Sequence, residues 1–149
     1  AALENPLSKI AVKKMVETFE NRRNLIWRQI NEIPEITCQK PGGAFYLFPN
    51  ISGVCENLEL IEKHEHLPKE QQSSPANIFQ MFALYEHQVA VLDRNSFGKI
   101  GTEGKHFLRL SIAADQAVLE EGVRRLRAAS EDLSGLDKFL IERPDLTSA

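Results

Sequence analysis

At 149 residues, 42% apolar and 26% charged, the chain has the size and composition of one globular domain with its own core. Its formal charge of -3 and pI near 5.8 remove the electrostatic basis for a nucleic-acid surface, and no apolar run is long enough to read as a membrane span. The two cysteines, Cys38 and Cys55, are too few for a disulfide framework and point to a reducing, cytoplasmic setting.

The opening AALENPLSK has no initiator Met and passes at once into helical sequence, which reads as the interior of a longer chain. Val12, Met15, Val16, Phe19, Ile26, Ile30 and Ile33 recur at spacings of three, four and seven, predicting one long helix from about Pro6 to Ile33 that Pro34 stops. EITCQ and AFYLF are two apolar runs joined by KPGG, whose proline and paired glycines supply turn chemistry, so a hairpin is expected there. The polar stretch from Asn50 to Gln72 reads as a surface excursion with a weak helical pattern around Leu58 and Ile61.

Order returns at SSPANIFQMFALYEH. Ser74 is placed to cap, Pro75 suits the first helical position, and Ile78, Met81, Phe82 and Tyr85 follow on one face. VAVL reads as a short strand, DRNSFGKIGTEGKH as a glycine-containing loop, and FLRLSI as a second strand. Asp115 is then placed to cap a helix carrying Leu119, Val123 and Leu126, in which Gly122 implies a close neighbour; the tail from residue 131 is weakly amphipathic and expected to fray.

The order helix, strand, strand, helix, strand, strand, helix describes an α+β domain: a small, mainly antiparallel sheet of about four strands with helices on one face and a long N-terminal helix. Residues 1–34 read as a connecting helix, 35–130 as the domain body and 131–149 as a C-terminal tail.

The residue that demands chemistry is Arg109. In FLRLSI, alternation turns Leu108, Leu110 and Ile112 toward the helices, and Phe107, Arg109 and Ser111 to the other face. A guanidinium there needs acceptors, and its planar fork fits a carboxylate; spacing alone leaves open an edge arginine paired with a surface Glu or a ligand-binding one. The glycines at 98, 101 and 104 tempt a phosphate-cradle reading, but their loop runs into a strand rather than a helix N-terminus. Cys55, His64, His66 and His87 match no zinc-site spacing, and Ser8 with Lys9 has no partner base in sight.

Taken together and in order, MVETFENRR, KPGGAFYLFPNI, VAV followed by SFG, and FLRLSIAAD with LEEGVRRL resemble the C-terminal small domain of class I/II aminotransferases, the fold type I pyridoxal-phosphate (PLP) enzymes, with aspartate aminotransferase the nearest general type. The resemblance implies that Arg109 binds the α-carboxylate of an amino acid or 2-oxo acid substrate, with Gly42, Gly43 and Phe45 approaching the same cleft. It also implies a PLP cofactor held by the large domain of the same polypeptide, a homodimeric parent enzyme, and no activity in these 149 residues alone. Lys9 lacks the neighbours of the family's cofactor lysine. Asp93 and Arg94 stand where the family's loop before SFG has proline and glycine. The alternative from the residues alone is a free-standing module that binds a carboxylate or a partner protein.

Overall fold

Helix α1 (Pro6–Asn31) follows the apolar spacing of its sequence, yet its two halves have different surroundings. In the computed structural model, which describes residues 6–67, 73–98 and 104–147, Ile10 is 67% and Met15 51% exposed, whereas Ile26 and Ile30 are buried in the core. The helix ends at Asn31, three residues before Pro34 would force it to. The Asn31 side-chain amide donates to the carbonyls of Trp27 and Cys38 and accepts from the Cys38 N–H, so it ties the helix end to the chain that follows.

That tie explains why the expected hairpin is reduced. Thr37 and Asn50 exchange both backbone bonds of one antiparallel bridge, but Cys38 gives its N–H to Asn31 and its carbonyl to the Trp27 indole, leaving nothing to extend the ladder. Among the described residues the sheet therefore has three strands rather than about four. Strand β1 (Tyr46–Leu47) and strand β2 (Leu92–Asp93) flank β3 (Leu108–Ser111), both antiparallel to it, in the order β1-β3-β2. In the turn before β1 the left-handed residue is Ala44, at φ 63°, rather than either glycine.

The polar stretch after Asn50 is not a surface excursion. It forms helices α2 (Ser52–Asn57) and α3 (Leu60–His66), and Val54, Cys55, Leu58 and Leu60 are all buried. The charged residues between those positions masked a buried face. Helix α4 (Pro75–Tyr85) begins as expected, with the Ser74 hydroxyl accepting from the Asn77 N–H and Pro75 in the first turn. Gln88, in left-handed conformation at φ 56°, turns the chain back so that the Val89 N–H reaches the Ala83 carbonyl; this delays the following strand to Leu92.

Helix α5 (Gln116–Glu131) buries Val123 and Leu126. Asp115 holds the N-cap position and its carbonyl accepts from the Leu119 N–H, but its side chain accepts no bond from the helix; the carboxylate meets the Arg22 guanidinium instead, 3.3 Å away. A Cβ built on Gly122 meets nothing within 4 Å, so the close neighbour implied by the sequence is not there. Gly122→Ala should therefore stabilise the domain by about 0.5–1 kcal/mol through helix propensity, read as a raised denaturant midpoint with unchanged slope. A lowered midpoint would place an unseen contact at this position.

The tail is helix α6 (Leu133–Glu142), capped by Asp132 and carrying fully buried Leu136 and Phe139 into the main core. The Phe139 ring lies 5.7 Å from that of Phe82 on α4. One apolar cluster thus joins the C-terminal half of α1, α2 to α6 and the inward residues Leu47, Leu108 and Ile112.

Candidate functional site

Strand β3 alternates as its sequence predicts: Leu108 and Ile112 are buried, Arg109 is half-buried and Ser111 exposed. Arg109 lies on the middle strand, opposite Leu92 of β2, while Tyr46 of β1 faces Ser111. Its guanidinium carbon sits 4.4 Å from the centre of the Tyr46 ring and 4.1 Å from that of Phe97, close enough for strong cation-π attraction to both. Among the described residues no carboxylate pairs with Arg109 and no carbonyl accepts from it. Among the described residues, then, no surface Glu holds Arg109.

The aromatic neighbours differ from those read in the sequence. Alternation named Phe107, two residues before Arg109; the rings in contact come from β1 and from the turn after β2, across the sheet. Tyr46 could have been found only by knowing the register, because a cross-strand neighbour carries no sequence spacing.

The rings continue beyond the arginine. The Tyr46 ring meets that of Phe45 at 4.5 Å, tilted by 48°, Phe45 meets Phe19 of α1 at 6.2 Å, and Arg22 lies 5.8 Å from the Phe19 ring. Phe45, Gly42 and Gly43 line a groove of about 580 Å³ with Met15, Val16 and Phe19. Arg109 lies outside this groove. Gly43 and Phe45 therefore belong to a neighbouring surface, connected to Arg109 through the Tyr46 ring.

Asp93 and Arg94 shape the turn that delivers Phe97. Asp93 is buried and caps a 3-10 turn (Arg94–Phe97), accepting from the Asn95 N–H at 2.9 Å and from the Ser74 hydroxyl, while its own N–H donates to Gln80. The Arg94 guanidinium closes the turn on the Gly98 carbonyl, and Gly98 takes a φ of 104° that favours glycine. Gly101 and the rest of the glycine loop to residue 103 lie outside the described residues.

Behind this turn the polar interior is poor in reactive groups. Burial, reinforced by the charges of Asp93 and Glu56, pushes the Cys55 thiol up to about 12, so it is no nucleophile at neutral pH. Burial also holds His106 and His64 below the ordinary histidine value of 6.5; for His106, the opposing pull of Asp93 and Glu56 does not reverse this. The unfolded chain then binds more protons than the folded one. Their contribution to stability is complete above pH 6.5 and is lost as pH falls through the depressed folded values. His106→Gln should flatten the fall in urea midpoint over that acid range; an unchanged profile would remove His106 from the account.

Among the described residues no three His, Cys, Asp or Glu side chains gather as metal ligands. His87 lies 3.3 Å from the Asp132 carboxylate. The described lysines fit no PLP site either. A cofactor-binding lysine needs a desolvated pocket, but Lys9, Lys13, Lys14, Lys40, Lys105 and Lys138 are exposed and Lys63 is taken by Glu59 and Asp137.

No protein-family model matches the chain. The curated relatives do. A probable aspartate/prephenate aminotransferase of Aquifex aeolicus is 36% identical over 132 residues, which is 89% of this chain and 28% of that protein. This chain is a relative of the aspartate aminotransferases. The aspartate aminotransferase of Rhizobium meliloti is 31% identical over 134 residues, 90% of the chain and 29% of its own length. Its crystal structure superposes with a TM-score of 0.65 at 28% identity, covering 87% of this chain and 29% of that one. An aromatic aminotransferase from Pyrococcus horikoshii OT3 covers 96% of the chain and 30% of its own at a TM-score of 0.63 and 28% identity. The chain thus spans a little under a third of the aminotransferases it matches, and the match is to their C-terminal small domain. No described helix is long and apolar enough to cross a membrane.

Proposed function

We propose that these residues are the substrate-clamping small domain of a PLP-dependent aminotransferase that moves an amino group between an amino acid, aspartate in the first instance, and a 2-oxo acid. The supporting observation is a half-buried guanidinium on the middle strand of the sheet, flanked by rings and given no acceptor by the described residues, in a chain related to aspartate aminotransferases. The guanidinium's donors remain accessible to solvent, so an incoming oxyanion can reach them and take up the planar fork.

In this reading Arg109 holds the substrate α-carboxylate through two parallel hydrogen bonds, which fixes the substrate's orientation before any bond changes. Gly43 and Phe45 form the adjoining wall. PLP, which supplies the carbanion stabilisation of such reactions, is held by a large domain outside these 149 residues, in a cytoplasmic homodimer. The segment 1–34 connects the two domains, 35–130 is the small domain, and 131–149 closes its core.

The division of labour is testable by assaying transamination of aspartate with a 2-oxo acid, with PLP added. The 149-residue chain should bind no PLP and show no turnover, and the polypeptide that also carries a cofactor lysine should show both. Turnover by the isolated chain would overturn the proposal.

A further inference from the structure

We propose that Tyr46 and Phe97 are positioning residues that make the Arg109 site a slot for planar oxyanions, admitting a carboxylate and disfavouring a tetrahedral phosphonate. The inference rests on the reading of Arg109 as an oxyanion site and adds which shape of anion it accepts.

The argument begins with topology. β3 is the middle strand, Tyr46 comes from the strand on one side, and Phe97 from the turn after the strand on the other. Both ring centres lie within 4.4 Å of the same guanidinium carbon, yet the ring contact of Tyr46 among the described residues is with Phe45 and not with Phe97. Two rings that close to one carbon, with no ring contact between them, lie on different sides of it, and the slot takes these as its two faces. A guanidinium donates all its hydrogen bonds in its own plane, so rings on both faces leave every donor free while stopping the group from tilting.

The rings are themselves held. Tyr46 is fixed by its pairing with Ser111 and by the Phe45 ring, and Phe97 by the turn that Asp93 caps and Arg94 closes. What remains open is the edge of the guanidinium plane. A carboxylate reaches that edge with both oxygens in the plane. A phosphonate must place an oxygen above or below it, toward a ring face whose quadrupole repels negative charge.

An unhindered guanidinium prefers the phosphonate dianion because it carries more charge, so the clamp reverses the natural order. The test uses the full 149-residue chain labelled with 13C-arginine, in which the Arg109 guanidinium carbon resonance is assigned by its loss in Arg109→Lys. It is titrated with acetate and with methylphosphonate at alkaline pH, where the latter is a dianion. Acetate should bind more tightly by about tenfold, the scale of one charge-assisted hydrogen bond. Phe97→Leu and Tyr46→Leu should erase or invert the preference, and Tyr46→Phe, which keeps the ring, should retain it. Methylphosphonate binding as tightly as acetate in the unmutated chain overturns the slot, and that comparison decides even if a leucine variant does not fold. Retention of the preference in folded leucine variants also overturns it. Silence from both anions overturns the oxyanion reading of Arg109 itself.

Discussion

In the aminotransferase proposed above, Arg109→Ala should lower kcat/KM for amino acid and 2-oxo acid alike by about 100- to 1,000-fold, some 3–4 kcal/mol, the scale of losing a charged bidentate contact. KM should carry much of the loss if the carboxylate is bound equally in ground and transition states, and kcat the rest if misorientation slows the chemistry. Arg109→Lys should recover only part of it, because an ammonium keeps the charge but not the planar fork. The fold should survive. Arg109 makes no protein hydrogen bond among the described residues, so its removal leaves no buried partner unpaired, and the loss of its two ring contacts should cost only about 1–2 kcal/mol, read from the denaturant midpoint. Unchanged turnover would end the carboxylate assignment, and a collapse in stability would show that the arginine holds the fold instead.

The second large effect lies far from the sheet face. Phe139→Ala should destabilise the domain by about 3–5 kcal/mol, the range for removing a buried phenyl ring. Its ring is 1% exposed and packs on Phe82, which in turn meets the His87 ring edge-on at 4.9 Å. The cavity would open between α4 and α6. For a domain of this size that loss lowers the melting temperature by about 10 °C or more. A shift near zero would mean that α6 is dispensable to the core.

These two residues also mark what the sequence disclosed and what it withheld. Arg109 was legible because a period of two is strict: four residues of strand put the charge on the face away from Leu108 and Ile112. Phe139 was not, because GLDKFLIE offers one apolar stripe among charges, and a stripe acquires meaning only when a partner such as Phe82 is known to face it. The same is true of Val54 and Cys55 in α2 and of Leu58 just after it, because that helix is too brief to establish a period. The missing strand failed for another reason. EITCQ has strand-like residues, but Asn31 and Trp27, on the preceding helix, reach the Cys38 backbone first, a competition that local propensity does not record. At the candidate site the alternation along one strand is legible in the sequence, and the residues brought beside it by pairing are not.

Helix α1 is 26 residues long, or about 39 Å at 1.5 Å per residue. After Pro6 it contains neither proline nor glycine, the usual causes of a kink. It is anchored along its C-terminal half, by Phe19 against Phe45, Arg22 against Asp115 and the buried Ile26 and Ile30, so its first turns are the free arm of a stiff rod. A slight swivel of the core becomes a larger sweep at Ile10, about 14 Å of helix beyond Phe19. Leverage of that kind is reciprocal: a modest push on the first turns of α1 turns the whole sheet face, and Arg109 with it, as one body.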